Sequence, residues 1–195
     1  MSVHPAEHRA VRELHATARA LASHWTSLAR RLGEPAAAPL REGASTSRAL
    51  LAALGARPDL PAGYPAAQGV GGWLAAFRAT ARDVVLERNQ ALRLAAGDVA
   101  HVVTLLGYLA ALAEVRGDSE LAAFHREWQE QMGWVEESVR EAVLALAADP
   151  DSAVLPADPG PVGRAGHGAA NAFGTLGEAF DASPVGRVAR RLRRP

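Results

Sequence analysis

The sequence predicts an all-α protein: an antiparallel bundle of three to four long helices plus one short helix, ending in a Gly-rich helix and a basic tail. Three observations predict it. Apolar residues recur at alternating spacings of 3 and 4 over long stretches, the period of a helix face packed on another helix. Aromatics are only 5% of the chain although 49% is apolar, so alanine supplies much of that content, and alanine loses no side-chain entropy on entering a helix. No stretch of useful length alternates with the two-residue period of a strand.

The first helix is expected over residues 5–32. Pro5 suits the first helical position, Glu7 suits the positive end of the helix dipole, and Gly33 with Pro35 ends the helix. Val11, Leu14, Ala18, Leu21, Trp25, Leu28 and Leu32 form its seam. Residues 33–45, rich in Pro, Ala and Gly, read as a connector, and Ser45-Thr46-Ser47 as the cap of a short helix over 47–56. Pro58, Pro61, Gly63 and Pro65 make the next dozen residues a loop.

A second long helix is expected over 71–95, with Leu74, Phe77, Ala81, Val84, Arg88, Ala91 and Ala95 on its seam. Gly97-Asp98 reads as a stop followed by a cap, although Val99, Val102, Leu106, Leu109 and Ala113 continue the register, so one kinked helix over 71–116 is the alternative. The segment 98–116 is apolar almost all round, as in a helix at the middle of a bundle. Gly117-Asp118 is the clearest break. The last long helix follows over 119–148, with Leu121, Phe124, Trp128, Met132, Val135, Val139, Ala142 and Leu146 as its stripe and Asp149-Pro150 as its stop. The chain thus divides into a bundle domain (1–150), a proline-rich linker (151–161) and a C-terminal segment (162–195).

Composition limits the chemistry. There is no cysteine, hence no disulfide, thiolate nucleophile or Cys-ligated metal. Lysine and isoleucine are also absent, a pattern of codon usage, so the arginines count as charge rather than as selected guanidinium geometry. No basic-then-apolar leader opens the sequence and no apolar run reaches the ~18 residues of a bilayer span, so a cytoplasmic protein without a transmembrane span is expected. Residues 1–184 carry 16 arginines against 21 acids, a balance of −5, while 185–195 contribute +5.

The helix plan loosely resembles ferritin-like di-iron bundles. Those sites need Glu-x-x-His pairs that set two ligands one turn apart, and no Glu-x-x-His occurs in this chain: Glu87 is followed by Gln90, Glu114 by Gly117 and Glu120 by Ala123. No metal and no cofactor are expected. A polar pocket is the enzymatic or small-ligand alternative, with Glu87, His101 and Tyr108 as its acid/base candidates, and a hairpin at residues 96–98 would bring Gln90 and Arg93 near His101. Without such a pocket His101 is a buried imidazole satisfied by neighbours. The acids Glu127, Glu130, Glu136, Glu137 and Glu141 read as a solvated face, and Trp134, off the stripe, as a second packing surface or an oligomer contact.

Near the C-terminus Gly163, Gly166, Ala170, Gly174 and Gly177 would form a side-chain-poor ridge along a helix over 160–181. Each interior glycine costs about 0.5–1 kcal/mol relative to alanine, a cost that close helix packing can offset. After it, Arg187, Arg190, Arg191, Arg193 and Arg194 surround Val185, Val188 and Leu192, a short basic amphipathic segment. Five arginines near an anionic surface supply at most ~5 kcal/mol, enough for weak, salt-sensitive contact with a membrane or an acidic partner. Sequence-specific nucleic-acid reading would need side chains aimed at base edges. The expectation is a non-catalytic scaffold or adaptor that associates with itself or with another protein through helix faces.

Overall fold

The computed structural model describes residues 4–60 and 85–182, without the side chains of 173, 174 and 176–182. The described residues are mostly helical and include no strand. The helices are α1 (Pro5–Leu32), α2 (Ala37–Gly55), α3 (Arg88–Val115), α4 (Ser119–Ala145), α5 (Pro150–Ala153) and α6 (Pro161–Ala182), with a 3-10 turn at Leu146–Ala148.

Helix α1 begins where expected. The imidazole of His4 caps it, Nδ1 accepting from the amide of Ala6 at 3.1 Å. All seven seam residues are buried. Each fully buried leucine is worth about 1.5–3 kcal/mol relative to exposure, which outweighs the marginal stability of a lone helix. Gly33 ends α1 with a φ of 67°, in the left-handed region that favours glycine.

Two expectations about connections are corrected. Residues 37–45 are helical, so α2 starts about ten residues earlier than the short helix read at 47–56. Pro39 falls in its first turn, where no backbone N–H is needed. Between Gly97 and Asp98 there is neither turn nor stop: α3 runs unbroken from Arg88 to Val115, and Gly97 keeps a negative φ. Its start is also later than read, because Val85–Glu87 are not helical. Glu87 and Gln90 form a capping box instead, the Glu87 amide donating to Gln90 Oε1 at 3.2 Å. The earlier part of that expected helix, with Leu74, Phe77, Ala81 and Val84, lies outside the described residues.

The α3–α4 turn closes with Gly117 (φ 78°), whose amide donates to Glu114 O at 2.9 Å while that of Asp118 donates to Ala113 O at 2.9 Å. This pair of bonds satisfies the last carbonyls of α3. Asp118 then caps α4, Oδ1 accepting from the Leu121 amide at 3.0 Å. The hydrophobic core lies among α1–α4. Helix α3 is less enclosed than its composition suggests: Val99, Val102, Leu106, Leu109 and Ala113 are buried, but Tyr108 and Val115 are exposed. By length and composition it is apolar enough to cross a membrane, as bundle-core helices often are, with a mean hydropathy of 1.5 over an 18-residue window.

The segment after α4 docks on the bundle. The Arg88 amide donates to Leu155 O and that of Ala157 to Leu86 O, both at 2.9 Å, and Glu87 pairs with Pro156 as an isolated bridge. Ala157 is fully buried. The Arg88 guanidinium reaches the Leu32 carbonyl, placing a positive charge at the negative end of α1.

Candidate functional site

Helices α2 and α4 leave a groove between them. Residues one turn apart on each helix line it: Pro35, Ala38, Pro39, Glu42 and Thr46 on the α2 side, and Gln131, Trp134, Val135, Ser138, Glu141, Ala142 and Ala145 on α4, with Glu130 at the rim. It divides into hollows of about 260 Å³ and 370 Å³ that share Glu42. Trp134 is 71% exposed, a large indole left at the surface beside the groove floor. Glu42, Glu130 and Glu141 are exposed, and no ion pair among the described residues engages any of them. Glu136, by contrast, is paired with Arg140.

The groove exists because α2 sits close on its neighbours farther in. An added Cβ on Gly43 would lie 2.2 Å from Trp25 Cζ3 and 2.7 Å from Val135 Cγ1. Only glycine admits that approach. Above the contact, the alanines and prolines of α2 are too short to fill the space toward α4.

A charged cluster occupies the end of the bundle at the α3–α4 turn. Glu7 is buried, its Oε2 accepting from Arg116 at 2.8 Å, and Arg116 also donates to Asp118 at 2.9 Å. Arg57 binds both carboxylate oxygens of Asp59 at 2.9 and 2.7 Å, reaches Glu120 at 3.2 Å, and lies 5.2 Å from the centroid of the Phe124 ring. The hydrogen bond to Asp59 raises the pKa of Arg57 and lowers that of Asp59. The backbone amide of Leu121, then Arg116, lowers that of Asp118.

His125 packs beside this cluster, fully buried, with its ring edge-on to Phe124 at 5.3 Å and neither nitrogen hydrogen-bonded. Burial foremost, and then the charge of Arg57, lowers its pKa to about 4. It is therefore a neutral core group at ordinary pH.

The polar-pocket candidates are not brought together. With α3 continuous, Glu87 and His101 stand 14 residues and ~21 Å apart along the axis, and His101 and Tyr108 are exposed. His101 Nε2 meets Glu13 Oε1 at 2.9 Å in a surface pair between α3 and α1. Glu87 engages its own helix terminus and Asn89. The buried-imidazole alternative for His101 is likewise overturned: the buried histidines include His15, His24 and His125. No group of three or more His, Asp or Glu able to hold a metal occurs among the described residues.

Gly163, Gly166, Ala170, Gly174 and Gly177 all lie in α6. Gly163 is buried, and a Cβ there would stand 2.1 Å from the carbonyl oxygen of Asp158, so its close approach is to the preceding loop. Asp158 in turn meets Arg31 at 4.0 Å, which roots α6 at the C-terminal end of α1. Arg187, Arg190, Arg191, Arg193 and Arg194 lie outside the described residues.

Sequence reasoning missed the groove because it assigned Glu42 to a connector and treated Glu130 and Glu141 as solvated charge. The available signal was Trp134, three to four residues from Glu130, Glu137 and Ser138 on one helix. No protein-family model matches the chain, and comparisons with curated proteins and with solved structures give no match either.

Proposed function

We propose that the protein is a non-catalytic scaffold or adaptor, an antiparallel helical bundle that associates through its α2–α4 face and carries a glycine-rich helix and basic tail for weak contact with an anionic partner. One observation carries the reading: a 71% exposed tryptophan borders an apolar groove whose rim holds Glu42, Glu130 and Glu141. Aromatic anchors beside grooves are where binding energy concentrates in protein interfaces. The surrounding carboxylates select against acidic partners and favour basic ones.

Sedimentation velocity on the full chain over a dilution series tests association through this face. Concentration-dependent association that Trp134→Glu abolishes, without change in helix content, is the expected result. A wild-type chain that stays monomeric throughout and binds no partner would refute the proposal. Replacing Arg187, Arg190, Arg191, Arg193 and Arg194 by glutamine in the full chain tests the tail. Binding to acidic partners or anionic vesicles should weaken, and the wild-type chain should lose most of its binding at high salt.

A further inference from the structure

We infer that the α2–α4 groove receives the basic segment Val185–Pro195 of a second copy of this chain. The inference rests on the scaffold reading above and names the partner that its association surface fits.

Charge complementarity is the first support. The occupant carries five arginines and no acid, and the remaining 184 residues carry a balance of −5. Glu42, Glu130 and Glu141 rim one groove and take part in no ion pair among the described residues, whereas Glu7, Asp59, Asp118, Glu120 and Glu136 all have arginine partners. The rim therefore has unspent negative charge where arginines are wanted.

Shape and length agree. From Gln131 to Ala145 the α4 wall has 15 residues and spans ~21 Å. Eleven residues in helical form would occupy ~16 Å and would place Val185, Val188 and Leu192 along one stripe. That stripe fits the apolar floor made by Ala38, Val135, Ala142 and Ala145. The arginines would then flank it toward the glutamates, with Trp134 able to stack a guanidinium.

A second copy is favoured over the same chain by where the segment is rooted. Helix α6 leaves from the Arg31–Asp158 corner, beside the Pro35 end of the groove. Its 22 residues end ~33 Å along the axis from that corner. A neighbouring copy can present its groove at that distance, and reciprocal exchange between two copies closes a two-fold dimer.

The absence of cysteine makes a direct test possible in the full chain. Ala189→Cys takes one tryptophan-quenched dye in the basic segment. Combining it with Trp134→Phe leaves Trp134 quenching possible only from another copy. Titrating this labelled chain with unlabelled wild-type protein should quench the dye, and titrating with unlabelled Trp134→Phe should quench it far less. Unlabelled Glu42→Gln/Glu130→Gln/Glu141→Gln should shift the midpoint upward by about tenfold or more, two- to fivefold per lost surface ion pair. Raising salt from about 0.05 M to about 0.5 M should shift it in the same direction.

Equal quenching by wild type and Trp134→Phe, or quenching insensitive to both salt and the glutamine substitutions, overturns the inference. Quenching confined to a chain bearing both Trp134 and the dye, and unaffected by dilution, assigns the segment to its own groove and also overturns it. Sedimentation of the same samples separates the two proposals. Association lost in Trp134→Glu but without trans quenching sinks this inference alone; no association and no partner sinks the scaffold reading as well.

Discussion

Replacing Gly43 by alanine puts a close helix contact of the bundle to a quantitative test. The new Cβ would stand 2.2 and 2.6 Å from two atoms of the Trp25 ring and 2.7 Å from Val135 Cγ1. Carbon pairs rest at about 3.5–4.0 Å, so more than 1 Å of movement is required. Trp25 belongs to α1 and Val135 to α4, so α2 is pressed from two helices. Both side chains are buried. Overpacking of this kind costs about 1–3 kcal/mol, sometimes more, while glycine-to-alanine inside a helix returns about 1 kcal/mol. The net loss should be about 0–2 kcal/mol, a Tm decrease of up to roughly 8 °C for a chain of this size. Gly97→Ala is the matched control: a Cβ there meets nothing within 4 Å, so only the propensity gain remains and Tm should rise by roughly 2–4 °C. Thermal unfolding followed by far-ultraviolet circular dichroism measures both. Equal stabilisation by the two substitutions would refute the packing argument.

Three further outcomes follow from the same structure. The unfolded chain binds a proton at His125 with its ordinary pKa of 6.5 and the folded chain only near 4, so stability is full above about pH 6.5 and falls as pH drops toward 4, by about 3 kcal/mol in all. Arg57 adds to the effect, Asp59 and Asp118 oppose it, and His125→Leu should flatten this part of a pH series of urea melts; an unchanged slope would assign it elsewhere. Glu7→Ala removes the buried partner of Arg116 but leaves Asp118 paired with it, and should cost about 1.5–3 kcal/mol, the worth of a charged hydrogen bond; a double-mutant cycle with Arg116→Ala that shows no coupling would count against the pair. Gly163→Ala should loosen the root of α6 without lowering global Tm, seen as faster amide exchange at Arg164, whose N–H donates to Gly160 O at 2.9 Å; unchanged exchange would mean that Asp158 yields without cost.

Helices whose burial follows from their own repeat were legible in the sequence. The α1 seam and the core of the α4 stripe are apolar at helical spacing, and packing realises that spacing. Gly117-Asp118 was legible too, because a positive φ and an aspartate cap act locally. Gly97-Asp98 has the same letters and does neither: the apolar register continues through it, and tertiary packing holds the helix together. The start of α2 was hidden because Pro39 and Gly43 resemble loop composition, and their tolerance depends on a helix start and on the Trp25 ring. His125 was hidden for a similar reason, since its surroundings are assembled by the fold: Arg57 and Asp59, distant in sequence, come close enough to act on its charge. The groove needed α2 and α4 side by side before Glu42 could join Glu130 and Glu141.

The short antiparallel bridge at Glu87 and Pro156 has a kinetic consequence. It ties the beginning of α3 to the segment that follows α4, so residues 86–157 form a loop closed at its base, with the hairpin turn at its tip. Its two long helices, α3 and α4, are adjacent in sequence and pack on each other, and pairing between adjacent helices keeps contact order low and folding fast. Once formed, α3 cannot fray from its first turn without also releasing Leu155 and Ala157. Opening of this half of the molecule should therefore be a concerted event rather than a gradual one, with amides at both ends of the loop exchanging together.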